Sequence, residues 1–298
     1  MEQAKTRGGA RTGVVYPMSV DALRAASLAH RAGLMQAVLY GPMRAMQVFA
    51  QANAIPLEGI ELVDTADDPK ICAQIAVEDC KAGSKPRGTA PLAALMKGSL
   101  HTDDLLGAVV AKETGLRTAR RISHVFIFDV PKYHKLLAIA DAVVNISPDL
   151  KTKQSIVQNA VDVLLKIGII MPKVGVLAAV EGFNPAIQAT VDAAGLIALA
   201  EAGEITGAVL AGAFGFDNAI SARAAKIKGI QSEVAGDADL LIAPDLNAGN
   251  ILYKSLIYMG GAECAGVVLG AAVPIILTSR ADSVTCRIAS CGLASLLA

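Results

Sequence analysis

The run Pro274-Ile-Ile-Leu-Thr-Ser279-Arg280-Ala-Asp282-Ser283 carries the strongest chemical signal in the 298-residue chain. A buried-strand run ends there in polar residues and enters a helix. A hydroxyl, a guanidinium and the unpaired N–H groups of a helix start can then converge on one anion, which reads as a cradle for an oxyanion or a phosphate. Ser279 as a plain helix cap, with Arg280 in solvent, accounts for the same spacing. A second junction, Leu95-Met-Lys97-Gly98-Ser-Leu-His101-Thr102-Asp-Asp104, brings a lysine and a close-approach glycine to another helix start. Lysine is a point charge suited to a phosphate or a thiolate leaving group. His101 has a second reading, as a core or capping histidine. Gly215-Phe-Asp217-Asn218 and Pro244-Asp245-Leu-Asn247-Ala-Gly249-Asn250 set carboxylates and amides at further helix starts, where capping alone explains them. Arg117, Arg120 and Arg121 could pair with a nucleotide phosphate or form a solvated face.

Other familiar chemistry is absent. Gly207, Gly212 and Gly215 do not make GxGxxG, and the P-loop spacing of Gly207 and Gly212 is followed by Ala213 where a lysine must stand. There is no HExxH or GxSxG, and His30, His101, His124 and His134 are not spaced as metal ligands. The expectation is no metal and no tightly bound cofactor. Twenty-seven basic and 27 acidic residues cancel, which removes the field that a nucleic-acid or anionic-membrane binder uses. Mean hydropathy is +0.49. The most apolar runs, Val191–Phe216 and Cys264–Ser279, are nevertheless broken by acids or by Pro274, and neither gives about 20 clean apolar residues. The five cysteines are scattered without CxxC pairs, which suits a reducing compartment. A cytoplasmic protein with no nucleic-acid and no membrane partner is expected.

The elements that must position these residues read as α/β. Short Val-, Ile- and Leu-rich runs alternate with segments of helical period, the pattern of a parallel sheet covered on both faces. Strands are predicted near 36–40, 60–64, 92–96, 122–128, 138–145, 174–180, 207–211, 240–243 and 274–278. Helices are predicted near 20–32, 44–52, 69–82, 102–113, 151–167, 185–202, 217–226, 248–259 and 282–297. Asn184 before Pro185, Thr102 before two aspartates, and Asn247 before Gly249 supply N-cap signals. All four chemistry-bearing junctions join a strand to a helix, and in an open α/β sheet such loops lie at the carboxyl ends where ligands bind. The stretch 129–135 is the expected linker between two lobes.

Several segments, in order, resemble the phosphate acetyltransferase and phosphate butyryltransferase family from about Leu92 to Leu293. They are LMKGSLHTDDLL (95–106), SHVFIFDVP (123–131), IADAVVNISPDLKTKQSIVQNA (139–160), FDNAISARAAKIKGI (216–230), GDADLLIAPDLNAGNILYK (236–254) and VPIILTSRADS (273–283). The resemblance implies reversible transfer of a short acyl group between CoA and inorganic phosphate, both of them substrates. It also implies a homodimer and two doubly wound domains of the isocitrate- and isopropylmalate-dehydrogenase-like type with an interdomain cleft. The first would comprise 1–128 plus 275–298, and the second 129–274. Arg280 would clamp phosphate, Ser279 would donate to phosphate or the departing sulfur, and Lys97, with Gly98, would add a second positive charge. His101, Thr102, Asp217, Asn247, Gly249 and Asn250 would bind substrate. Acetyl-specific members carry an aspartate in the helix after the Ser-Arg pair, where this chain has Cys286; either Asp282 acts as the base instead, or none is needed because phosphate is already largely ionised near pH 7, and the base role stays open. Acetyl and butyryl both remain open. The same fold also admits a metal- and nicotinamide-dependent 2-hydroxy acid dehydrogenase using Asp217, Asp237, Asp239 and Asp245, or a non-catalytic CoA-binding subunit.

Overall fold

Apolar strand runs separated by capped helices fold as the pattern requires, into parallel sheets with helices on their faces. A computed structural model describes residues 2–6, 8–81, 87–277 and 282–298. The chain divides into two units, Met1–Arg120 with Ala265–Ala298, and Arg121–Cys264. The first unit begins with α1 (Glu2–Thr6), β1 (Ala10–Val15), α2 (Val20–Arg31), β2 (Met35–Gly41), α3 (Met43–Ala52), β3 (Glu61–Asp64), α4 (Pro69–Asp79), β4 (Ala94–Lys97) and α5 (Thr102–Val110). The second holds β5 (Ser123–Asp129), β6 (Leu137–Ala140), α6 (Leu150–Lys166), β7 (Lys173–Leu177), α7 (Gln188–Glu201), β8 (Val209–Phe214), α8 (Phe216–Ile220), α9 (Ala222–Ile227), β9 (Leu240–Ile242) and α10 (Leu246–Tyr258). The chain then returns through β10 (Glu263–Leu269), β11 (Ile275–Ile276) and α11 (Val284–Leu297).

In the first unit the strand order is β3-β2-β1-β4-β11-β10. Neighbours are parallel except β10, which runs against β11. One face buries Val14, Leu39, Met96 and Ile276 against Leu23 of α2, Met46 of α3 and Cys291 of α11. On α4 the buried Asp79 carboxylate accepts from the Tyr40 hydroxyl at 2.8 Å. Ser19 caps α2, and Asp68, followed by Pro69, caps α4, the asymmetry expected at helix starts. In the second unit the order is β5-β6-β9-β7-β8, parallel except for the β5–β6 hairpin. Buried Lys153 of α6 and Asp192 of α7 form an ion pair between two helices that pack together.

The structure departs from the sequence pattern at identifiable places. β1 was unpredicted because its polar first half, with Arg11 paired to Glu61 at 2.6 Å, hides the fully buried Val14 and Val15. β10 was also unpredicted. β6 stops at Ala140 rather than 145, because Asp141 turns back to accept from the N–H groups of Val143, Val144 and Asn145. α7 starts at Gln188 rather than Pro185: Asn184 caps a separate turn, accepting from the Ala186 N–H at 3.0 Å. The helix predicted over 217–226 is two, broken at extended Ser221, which caps α9. β5 pairs with β6 and so groups with the second unit, and the return to the first unit comes at Ala265, ten residues before the expected 275. Among the described residues no helix is long and apolar enough to cross a membrane.

Candidate functional site

At the carboxyl end of the first unit's sheet, β4 delivers Lys97, a residue only 6% exposed. It donates to the carbonyl oxygens of Gly98 and Leu100 at 3.4 and 3.2 Å. Gly98 is required by backbone proximity. Its N–H donates to the Val15 carbonyl at 2.9 Å and the Ser99 N–H to the Tyr16 carbonyl at 2.8 Å, so the exits of β4 and β1 are pressed together. A β-carbon on Gly98 would collide with the Val15 oxygen and lie 2.6 Å from that of Tyr16. Tyr16 itself takes φ +50°, an uncommon conformation for a residue with a side chain. Its hydroxyl donates to Asp67 at 2.8 Å, a bond that, with burial, pushes its pKa up to about 12.

His101 and Thr102 follow on the same loop. His101 is exposed and occupies the N-cap position of α5 without making a side-chain cap bond, so neither the core nor the capping reading holds. Thr102, expected as the cap, is the first helical residue. β11 runs parallel to β4 with Ile276 level with Met96, so the chain leaves β11 at the same end of the sheet as Lys97. Ser279 and Arg280 lie outside the described residues. Asp282 is half-buried, and its carbonyl accepts from the Arg287 guanidinium at 3.4 Å. Cys286 is buried, with its N–H on the Ser283 hydroxyl that caps α11. Arg287 escaped the sequence reading. It is 4% exposed, and its signal was available, since it is the lone charged residue of a helix otherwise built of small and apolar residues.

At the carboxyl end of the second unit, Gly249 fits α10 tightly against the loop after β6. A β-carbon there would strike the Asp141 carbonyl oxygen and lie 3.1 Å from the Ala142 α-carbon. The Asn250 amide donates to the Ala142 carbonyl at 3.0 Å. Asn247, expected as a cap, is exposed; Asp245 caps α10 instead, accepting from the Ala248 N–H at 2.9 Å. Asp217 follows β8, exposed and 3.4 Å from Lys228, which pairs at 2.6 Å with Glu181. Burial pushes the Asp141 carboxyl up, against the pull of its N–H donors. Arg117, Arg120 and Arg121 are exposed.

The four aspartates weighed as dehydrogenase ligands do not form a group. Asp217 and Asp245 follow β8 and β9, whereas Asp237 and Asp239 precede β9 at the opposite end of the sheet, tied to Lys135 and Lys173. Among the described residues no cluster of three or more His, Cys, Asp or Glu has metal-binding geometry. The carboxyl end of the first unit offers a buried lysine beside a tightly packed glycine turn, suited to orienting an anion, and that of the second unit offers another tightly packed glycine with amide side chains, suited to a polar arm.

Comparison with known proteins bears on this set. The family model described as phosphate acetyl/butaryl transferase matches residues 88–293. The chain is 47% identical to phosphate acetyltransferase of Rhizobium meliloti over 295 residues, 99% of this chain and 91% of the relative. It is 37% identical to phosphate butyryltransferase of Clostridium beijerinckii over 288 residues, 97% and 93% of the two chains. The solved structure of a branched-chain phosphotransacylase from Enterococcus faecalis V583 superposes with a TM-score of 0.80 at 28% identity, covering 96% of this chain and 99% of that one.

Proposed function

The chain belongs to the phosphate acetyltransferase and butyryltransferase family and is a phosphate acyltransferase; we propose that the group it moves is acetyl, in the reversible reaction acetyl-CoA + phosphate = acetyl phosphate + CoA. The observation that favours acetyl is the match at 47% over 99% of the chain to a phosphate acetyltransferase, whereas the butyryltransferase matched over a similar length reaches 37% and a probable one at 48% matches over 67% of the chain. A phosphate oxygen attacks the thioester carbonyl carbon, the C–O bond forms as the C–S bond breaks, and the sulfur leaves as thiolate to take up a proton. Two anionic reactants must be brought together, so most of the rate comes from orientation and from positive charge placed where negative charge develops.

Arg280 clamps the phosphate with the two-pronged geometry of a guanidinium, and Ser279 donates to the phosphate or the departing sulfur. Lys97, buried at the neighbouring strand exit, supplies a second charge. Phosphate reaches the site already ionised near pH 7, which leaves Asp282 a proton-accepting role confined to the monoanion. Asn247, Gly249, Asn250, His101, Thr102 and Asp217 bind or frame the CoA side. The reaction needs no tightly bound cofactor or metal. A homodimer working in the cell interior fits the rest of the chain. The edge strand β8 leaves Val209 and Leu210 partly exposed along a hollow of about 530 Å³, near Phe183 at 66% exposure. The free cysteines are all buried.

Thiol release from acetyl-, propionyl- and butyryl-CoA, with and without phosphate, tests the reading. We expect release to require phosphate and kcat/KM to be highest for acetyl-CoA. A higher value for butyryl-CoA overturns the acetyl assignment, and phosphate-independent release overturns the reaction. Arg280→Ala should stay folded and lose about 10²-fold or more in kcat; full activity removes Arg280 from the site.

A further inference from the structure

Among the described residues, buried side-chain atoms without a hydrogen-bond partner occur at three residues: Ser99 Oγ, Asn218 Oδ1 and both ring nitrogens of His124. Folded proteins pair nearly all such atoms, because an unpaired one costs its full desolvation penalty. All three residues stand near the sheet edges at which the parallel strands of their units end. Ser99 follows β4 and Asn218 follows β8. His124 is the second residue of the antiparallel β5, one position before Val125, which is level with Ala140, the last residue of β6. This is the edge of an α/β sheet where ligands gather.

His124 leaves the most unpaired. Its ring is 0% exposed and lies 4.1 Å, centroid to centroid, from Phe126. Phe126 in turn stacks on Tyr253 of α10 at 4.2 Å. One helical turn before Tyr253, on the same face of α10, sits Gly249 against the Asp141 carbonyl, and beside it Asn250 holds the Ala142 carbonyl. The imidazole therefore belongs to the layer beneath the α10 start. Burial pulls its pKa down to about 3, so at neutral pH it offers one donor and one acceptor and no charge. A neutral ring in an aromatic wall is a poor partner for a phosphate dianion, which calls for charged donors. It suits a neutral group that also donates once and accepts once, namely a secondary amide, and the thiol-bearing arm of CoA is built on such amides.

We propose that His124 is a substrate-binding residue that hydrogen-bonds an amide of the pantetheine arm of CoA at the carboxyl end of the second unit, a proposal that rests on the phosphate acyltransferase reading. The test is titration calorimetry of the full chain with CoA, for wild type, His124→Phe and His124→Asn, together with thermal unfolding and KM values for acetyl-CoA and phosphate. Phenylalanine should weaken CoA binding about tenfold, equivalent to about 1.4 kcal/mol. It should leave the KM of phosphate unchanged and not lower the unfolding midpoint, since two unpaired nitrogens are replaced by carbon. Asparagine, with a donor and an acceptor, should recover part of the affinity. Unchanged CoA affinity in His124→Phe, an equal rise in the KM of phosphate, or unfolding of both variants at the assay temperature overturns the proposal in favour of a structural histidine. His124-dependent CoA binding without thiol release from any acyl-CoA overturns the acyltransferase reading alone, and absence of CoA binding in wild type overturns both.

Discussion

Replacing Gly98 by alanine strikes the point where the exits of β4 and β1 meet. The added β-carbon would collide with the Val15 carbonyl oxygen and lie 2.6 Å from the Tyr16 carbonyl oxygen. Both obstacles are backbone, so no side chain can swing aside. The same two oxygens accept from the N–H groups of Gly98 and Ser99 at 2.9 and 2.8 Å, and moving the strands apart breaks both bonds. Two hydrogen bonds at about 0.5–1.5 kcal/mol each, with about 1 kcal/mol or more for a group left buried and unpaired, give a loss of roughly 2–4 kcal/mol. The shift also carries Lys97, whose ammonium rests on the carbonyls of Gly98 and Leu100. A displacement on the order of 1 Å at a positioning group costs about 10²-fold in rate. Urea unfolding and phosphate-dependent thiol release, run side by side, read the two effects. Gly107→Ala is the control: on α5 a β-carbon there meets nothing within 4 Å, so alanine should stabilise by about 0.5–1 kcal/mol with activity unchanged. A Gly98→Ala enzyme with wild-type midpoint and turnover would show that this contact does not set the position of Lys97.

Two further outcomes follow from the buried and bridging charges of the second unit. Lys153→Met leaves the Asp192 carboxylate buried without its ammonium and should cost about 3–5 kcal/mol in urea unfolding. The double variant Lys153→Met/Asp192→Leu should regain most of that loss, and a double variant no better than the single one would refute the electrostatic account. For Asp237, burial alone would push the carboxyl up, but Lys173, Lys135 and His134 outweigh it and hold it below the usual carboxylate range. A folded-state pKa depressed in this way contributes stability that is present above the unfolded value near 3.9 and lost as pH falls through the folded one. The stability difference between wild type and Asp237→Asn should therefore shrink between about pH 5 and pH 3. A difference constant across that range would remove Asp237 from the acid response.

The parallel character of the sheets follows from apolar runs suited to burial on both faces. β1 shows where that signal fails: Ala10–Val15 reads as polar until Arg11 finds Glu61. The junctions were legible as places but not as roles, and the reason is chemical. A helix start needs an oxygen acceptor and a ligand needs a donor or acceptor, so the same residue types serve both ends. Asp245 turns out to be committed to the Ala248 N–H, Asn250 to the Ala142 carbonyl and Asp217 to Lys228, contacts that depend on geometry spanning up to about a hundred residues of chain. His124 shows the converse. Read along the chain it is one more residue in the apolar strand SHVFIFD, with no glycine, cap or charge beside it to mark it. The folded chain buries the ring against Phe126 and leaves its nitrogens unpaired. Local spacing therefore identifies groups able to reach a ligand, and the three-dimensional pairing pattern shows which of their atoms the fold already uses.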